Sequence, residues 1–248
     1  SGCHIRYPVV DGIPILINED ESVFKIKDFL NRSATTIESG TFNKGLLRKI
    51  WSKIIPELTL NIYSNKNFKR FENEAVNFAA KPVILVIGGG VLGSGMAEII
   101  KNGKIMLVEA DVSFGPRTQI ICDAHSLPFS DSSLDGIIAQ AVLEHVADPY
   151  KCVSEIHRVL KPKGLIYSEI PFMQQVHMGR YDFTRFTDLG QRRLFRNFEE
   201  IERGIAGGPA SALAWSFRYF LMSFTDSRVI KKALSTLSIF LFSWVKYF

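Results

Sequence analysis

The stretch LVIGGGVLGSG, residues 85–95, carries an apolar run straight into a cluster of glycines. Backbone does this where it passes close to a bound nucleotide, because glycine has no Cβ to hold a ligand off. Gly88, Gly90 and Gly93 fall in the spacing G-x-G-x-x-G, and an acid, Glu109, follows about 20 residues after the turn. Taken alone, the segment predicts a dinucleotide site and a nicotinamide-dependent oxidoreductase.

Outward from this loop, short apolar runs recur at 83–87, 105–109, 119–122, 136–140 and 165–170, and each reads as a buried strand. Residues 93–103 form a short helix closed by Gly103. Residues 148–164 form a better-signed one. There Asp148 suits the N-cap and Pro149 the first turn; Val153, Ile156 and Leu160 make the apolar stripe, and Pro162 and Gly164 end it. Strands alternating with helices predict a parallel sheet covered on both faces. Ligands of such sheets bind outside the carboxyl ends of the strands, where the strand order reverses. Residues 21–80 read as a helical lead-in whose clearest piece puts Phe68, Phe71, Ala75, Phe78 and Ala79 on one face. The opening residues have no helical period and read as two short strands around Asp11-Gly12.

The chain has 248 residues, 46% of them hydrophobic, and a net charge of +5. That is enough for one large core. The charges are scattered, with no run of like sign, so no nucleic-acid partner is expected. Cys3, Cys122 and Cys152 lie too far apart in sequence for a disulfide framework, and no secretory signal opens the chain. The expectation is a cytoplasmic protein with inert core thiols at Cys122 and Cys152.

Residues 122–171, CDAHSLPFSDSSLDGIIAQAVLEHVADPYKCVSEIHRVLKPKGLIYSEIP, decide between nucleotides. They hold Asp123-Ala124, Leu127-Pro128-Phe129, Ser133-Leu134-Asp135, Leu143 to Val146, and Arg158 to Gly164. In order and spacing these resemble the D-A-x-x-L-P-F, S-x-D, L-E-H-V and R-V-L-K-P-G-G segments of class I S-adenosylmethionine (SAM)-dependent methyltransferases. The resemblance implies an α/β, Rossmann-like, doubly wound and mostly parallel seven-stranded sheet over residues 81–215, and SAM as cofactor. It implies that Gly88 and Gly90 admit the amino-acid end of SAM. An acid ending the second strand, Asp111 or Glu109, would take the ribose hydroxyls, and the D-x-S of "ADVS" favours Asp111. Asp123 and the Ala124 backbone would meet the adenine, and Gln140 the methionine part. Two departures stand out. The family's acid two residues before the first glycine is Val86 here, and the loop reads GGGVLGSG. The plainer readings make Asp123 an Asx cap, Asp135 a strand terminator, and Glu144 and His145 polar residues at a helix start.

Residues 171–187, PFMQQVHMGRYDFTRFT, follow the fifth strand and crowd His177, Arg180, Tyr181, Asp182 and Arg185 together without a strand or helix period. Several methyltransferases of this group place a similar proline, histidine and D-x-x-R-F-T segment over the acceptor pocket. The loop is therefore expected to be the acceptor lid. Tyr181, Asp182 and Arg185 are expected to bind substrate, and His177 or His145 to act as the base that an oxygen acceptor needs. The plainer alternative has His177 capping the loop and Arg185 paired with Asp182.

The segment YPVVDGIPILI resembles the end of small zinc-ribbon-like modules related to the Trm112 family, so residues 1–20 are expected to be a β appendage. Only Cys3 and His4 remain of its ligands, so no metal is expected. Residues 216–248 form an apolar tail. Its run at 237–245 is far short of the roughly 20 residues a membrane span needs. A last core helix, a homodimer face and an interfacial helix at a membrane surface through 231–248 are the alternatives. The function expected is methyl transfer to a small-molecule or glycan acceptor at oxygen. A non-catalytic SAM-fold module and the oxidoreductase are the competing readings.

Overall fold

A computed structural model describes residues 6–30, 61–177, 179–242, 244 and 245. Cys3, His4 and Lys246 lie outside them. Near its start a tight hairpin pairs β1 (Val9–Val10) with β2 (Ile13–Pro14), antiparallel, as expected around Asp11-Gly12. Asp11 and Gly12 take φ of 51° and 81°, the two successive positive values that an Asp-Gly hairpin tolerates.

Five parallel strands form the main sheet: β3 (Val83–Ile87), β4 (Met106–Asp111), β5 (Ile120–Ile121), β6 (Leu134–Gln140) and β7 (Leu160–Glu169). Their order is β5-β4-β3-β6-β7, so the direction of winding reverses between β3 and β6. Alternate strand residues face opposite sides. Leu85 and Ile137 join the cluster under a helix that also buries Cys152, Val153, Ile156 and Val159. Ile84, Val86 and Ile138 join Phe68, Phe71 and Ala75 on the other side. Each fully buried large side chain contributes about 1.5–3 kcal/mol.

After α1 (Ile26–Leu30), those covering helices are α2 (Ser64–Phe78) on one face and, beyond the short α3 (Ala97–Lys101), α4 (Pro149–Val159) on the other. Asp148 caps α4 by accepting the Lys151 amide at 3.0 Å, with Pro149 in the first turn, as its sequence indicates. α2 buries Phe68, Phe71 and Ala75 but leaves Phe78 exposed, and Ala79 has already left the helix. α4 passes straight into β7 at Leu160. Lys163 takes a φ of 66°, a conformation that favours glycine.

Two features depart from the expected seven-stranded sheet. After β7 the described chain forms helices: α5 (Asp188–Leu194), α6 (Pro209–Met222) and α7 (Arg228–Phe242). The intervening residues 201–205 are exposed and unpaired, and Pro209 starts α6, so the described residues add no sixth or seventh strand. The connection from β4 to β5 is also a turn without a helix. The apolar surface this leaves around Ile121, Val112 and Phe114 is covered by Ile15, Ile17, Phe24 and Phe29. Ile15 bridges Ile121 in parallel, and the Leu16 amide donates to the Ile121 carbonyl at 2.7 Å. The N-terminal segment is thus part of the sheet edge, with no break in packing at residue 20. Burial pushes the Cys122 thiol up to about 12 and raises that of Cys152, so both stay protonated and inert.

Candidate functional site

The strand order reverses between β3 and β6, and the glycine loop follows the carboxyl end of β3 at that point. Gly88 leaves β3 at a φ of 72°, and a Cβ there would stand 2.6 Å from Val142 Cγ2. Gly93 passes so near Gln140 that a Cβ would meet its Oε1 at 2.3 Å. Gln140 ends β6 and donates through Nε2 to the Ser94 carbonyl and to Glu169 Oε2, both at 3.1 Å. Its buried Oε1 has no hydrogen-bond partner. A buried acceptor left without a donor is costly, and a donor from a ligand would satisfy it. Glu169 also accepts from Asn61 at 2.6 Å and from the Tyr167 hydroxyl. Sequence reading missed Glu169 because nothing local marks it; only the Gln140↔Glu169 register brings the pair together.

The two acids of β4 are separated by their partners. Glu109 is held by Arg117 through Nε at 2.5 Å and Nη2 at 2.8 Å. Asp111 abuts the glycine loop: its Oδ2 accepts the Gly90 amide at 2.9 Å and its Oδ1 the Ser113 hydroxyl at 2.8 Å. Burial raises its carboxyl above the ordinary range despite those hydrogen bonds. Asp123, next to the buried Ala124, accepts from the amide and Nδ1 of His125 and from the Ser22 hydroxyl. Burial acts to raise the Asp123 carboxyl, but these bonds hold it below its usual value. Asp123 is therefore the Asx turn of the plainer reading and an anchor for the N-terminal segment. His125, whose Nε2 accepts the Asp148 amide at 3.0 Å, is the partner that sequence reading did not find. Asp135 lies inside β6 and so does not terminate the strand. It accepts the Val83 amide at 2.8 Å and Lys161 Nζ at 2.7 Å, tying the strands at the other end of the sheet.

On the acceptor side the structure brings His145 and His177 together, with ring centroids 4.8 Å apart. His145 Nδ1 lies 2.8 Å from the Tyr181 carbonyl, which fixes that nitrogen as donor and leaves Nε2 with its lone pair, 3.7 Å from Glu144 Oε1. Burial lowers the His145 pKa. Glu144 is 0% exposed, and neither carboxylate oxygen has a hydrogen-bond partner. Burial pushes its carboxyl up to about 7. Its backbone carbonyl accepts the amides of Phe183 and Thr184, which draws the loop of residues 177–185 over it.

That loop corrects two expectations. Arg185 donates to Asp182 through both terminal nitrogens and to the carbonyls of Gln174, Thr184 and Gln175. All five of its N–H groups are used inside the loop, so none remains for an acceptor. Asp182 in turn holds Arg185 and the His177 amide, and Arg185 keeps its carboxyl well below the carboxylate range. Both residues thus build the loop, as the plainer alternative has it for Arg185 and Asp182. Tyr181 ends a 3-10 turn (Gly179–Tyr181) and packs its ring 5.7 Å from Phe24, which ties the lid to the N-terminal segment. Trp215 of α6 lies 6.5 Å from His177, and its buried Nε1–H has no partner. Nothing in its helical sequence context singles it out.

Comparison with known proteins fits this arrangement. Residues 97–168 match the Methyltransferase domain family. The ubiquinone/menaquinone biosynthesis C-methyltransferase UbiE of Brucella abortus is 34% identical over 110 residues, 42% of this chain and 38% of that protein. An uncharacterized methyltransferase of Mycobacterium is 35% identical over 91 residues, 33% of this chain and 36% of the other. The chain thus spans under two fifths of the length of these relatives. A solved SAM-dependent methyltransferase from Methanosarcina mazei superposes with a TM-score of 0.37 at 20% identity, covering 49% of this chain and 81% of that one. Residues 97–168 are thus similar to the methyltransferase domain, which implies S-adenosylmethionine as cofactor, and the parallel sheet has the Rossmann-like order that goes with it. The match favours the methyltransferase reading over the nicotinamide one, and the acid of the latter, Glu109, is engaged by Arg117.

Proposed function

We propose that the chain methylates a small-molecule or glycan acceptor, at oxygen, in a pocket between the end of β6 and the 177–185 loop. The convergence of His145 and His177 beside a buried, unpartnered Glu144 carries this reading. The chain's residues suit SAM. The turn at Gly88 to Gly90 would admit the amino-acid end, Asp111 would take the ribose hydroxyls, and the Ala124 backbone with Asp123 would meet the adenine. Gln140 Oε1 and Glu169 would accept from the ammonium, in place of the carboxylate that Val86 does not supply. When bound, SAM supplies an electrophilic methyl group. The protein's part is to orient the acceptor, exclude water and accept the hydroxyl proton at the Glu144–His145–His177 cluster. Calorimetry on the full chain tests the cofactor side. SAM and its demethylated product are expected to bind and NADH is not, and binding of NADH alone would overturn the reading.

The C-terminal hairpin serves a separate purpose. α6 and α7 pack on each other through Phe217 and Phe242, 4.9 Å apart, and through a 2.8 Å bond from Arg218 to Ser235. The residues α7 buries are Ser235 and Ser238, while Leu237, Phe240 and Leu241 face outward. That is the reverse of a core helix. No helix of the described residues is long and apolar enough to cross a membrane. Together with Arg228, Lys231 and Lys232 at its start, the outward apolar face suits an anionic lipid surface. Co-sedimentation with anionic vesicles is expected for the wild type and lost in a Leu237→Asp/Phe240→Asp variant. A dimer that forms without lipid and dissolves in that variant would assign the face to a second copy instead.

A further inference from the structure

Cys3 and His4 alone make no metal site, but the fold assembles a different set of ligands. Glu144, His145 and His177 each offer a ligand atom, and these atoms all lie within 4.8 Å of one another. We propose that these three side chains form a site for one divalent transition-metal cation, Zn2+ or a cation of the same ligand preference, that leaves a coordination position for an acceptor oxygen.

Three independent observations support it. First, Glu144 is 0% exposed and both of its carboxylate oxygens lack a hydrogen bond. A buried carboxylate is strongly disfavoured without a partner, and the nearby Arg185 has no N–H left to give it. Second, both imidazoles are set as metal-binding histidines are set. Such rings give one nitrogen to a carbonyl or carboxylate and turn the other to the ion. His145 Nδ1 is 2.8 Å from the Tyr181 carbonyl. His177 Nδ1 is 3.2 Å from the Gln175 carbonyl and 3.4 Å from Asp182 Oδ2. The two Nε2 atoms keep their lone pairs. Third, the spacing is within reach of coordination. Ligand bonds of 2.0–2.2 Å around a tetrahedral zinc place ligand atoms about 3.4 Å apart. Glu144 and His145 already stand at 3.7 Å, and His177 is carried on a loop.

Two histidines and one carboxylate are the ligand set of open, catalytic zinc sites, where the fourth position takes water or substrate. Imidazole nitrogens argue against Mg2+ or Ca2+, which prefer oxygen. The cation site stands on geometry alone; only the use of its open position by an acceptor rests on the methyl-transfer reading.

The test is therefore run without SAM or acceptor. The full chain is stripped with a chelator and titrated with Co2+, whose visible d–d bands report its coordination, and the Co2+ is then displaced with Zn2+. One Co2+ per chain is expected, displaced by Zn2+, with affinity at least about 10-fold weaker in His177→Ala and in Glu144→Gln, since loss of even an outer-shell partner costs that much. A Cys3→Ser background removes the N-terminal thiol as a competing ligand. His177→Ala changes a loop residue, so it carries the test alone should Glu144→Gln fail to fold. Absence of stoichiometric Co2+ binding, or wild-type affinity in His177→Ala, overturns the proposal whether or not the chain transfers methyl groups. Metal binding without methyl transfer to any acceptor would instead overturn only the functional reading.

Discussion

His145→Ala and His177→Ala each lower turnover by about 10²–10⁴-fold, the range for loss of proton handling in the transition state, whether the ring takes the proton itself or holds a cation that acidifies the acceptor oxygen, and leave SAM affinity near wild type. The affinity is preserved because both rings lie beyond the glycine loop, Asp111 and Gln140, and none of the hydrogen bonds of those residues involves either histidine. The loss in turnover comes from position. Both rings cluster with Glu144, a buried carboxylate in the turn after β6 whose oxygens have no hydrogen-bond partner. Arg185→Ala gives a different signature. Removing the group that holds Asp182, Gln174 and Gln175 loosens the whole loop, so KM rises along with the fall in kcat. Label transfer from SAM identifies an acceptor, and steady-state kinetics with calorimetry then separate the two effects. Wild-type turnover in both histidine variants would make this loop structural and move the acceptor site elsewhere.

The sheet was legible because its chemistry is local. VILVI and the Asp148-Pro149 helix start carry their structure in a few residues, and both form where the pattern puts them. What escaped depends on contacts between distant segments. Phe78 continues the α2 stripe in sequence, yet it is the last residue of the helix and is exposed. The missing crossover helix after β4 could not be anticipated, because its cover comes from Ile15, Ile17, Phe24 and Phe29, far away in the chain. Asp182 and Arg185 read as substrate ligands because loop charges attract that reading. Their mutual ion pair, the plainer alternative, is favoured by a three-residue spacing that closes a turn. Glu144 looks like an ordinary polar residue in sequence. Only the amides of Phe183 and Thr184, bonded to its carbonyl, bring the loop across it and make its unpartnered carboxylate visible.

Asp111→Ala weakens SAM binding by about 10- to 150-fold, equivalent to the roughly 1.5–3 kcal/mol of hydrogen bonds to an ionised acceptor. Glu109→Ala leaves that affinity near wild type and lowers stability instead, because it frees Arg117. The two acids are neighbours on one strand and point to the same face, so sequence position hardly separates them. Their partners do. Glu109 is bound at both oxygens by a guanidinium, whose fork must be given up before a ribose could replace it. Asp111 is bound by neutral donors, the Ser113 hydroxyl and the backbone amides of Gly90, Val112 and Ser113. The carboxylate therefore already sits against the loop that the cofactor crosses. Part of the Asp111→Ala effect will come from releasing that loop. Asp111→Asn measures this share: the amide keeps an oxygen for the Gly90 N–H but loses the charge that favours two ribose hydroxyls, so it should recover only part of the lost affinity. Calorimetric titration of the three variants with SAM decides the assignment. A large loss in Glu109→Ala with none in Asp111→Ala would place the ribose one strand position earlier on this face, over Arg117, and would require the ion pair there to open on binding.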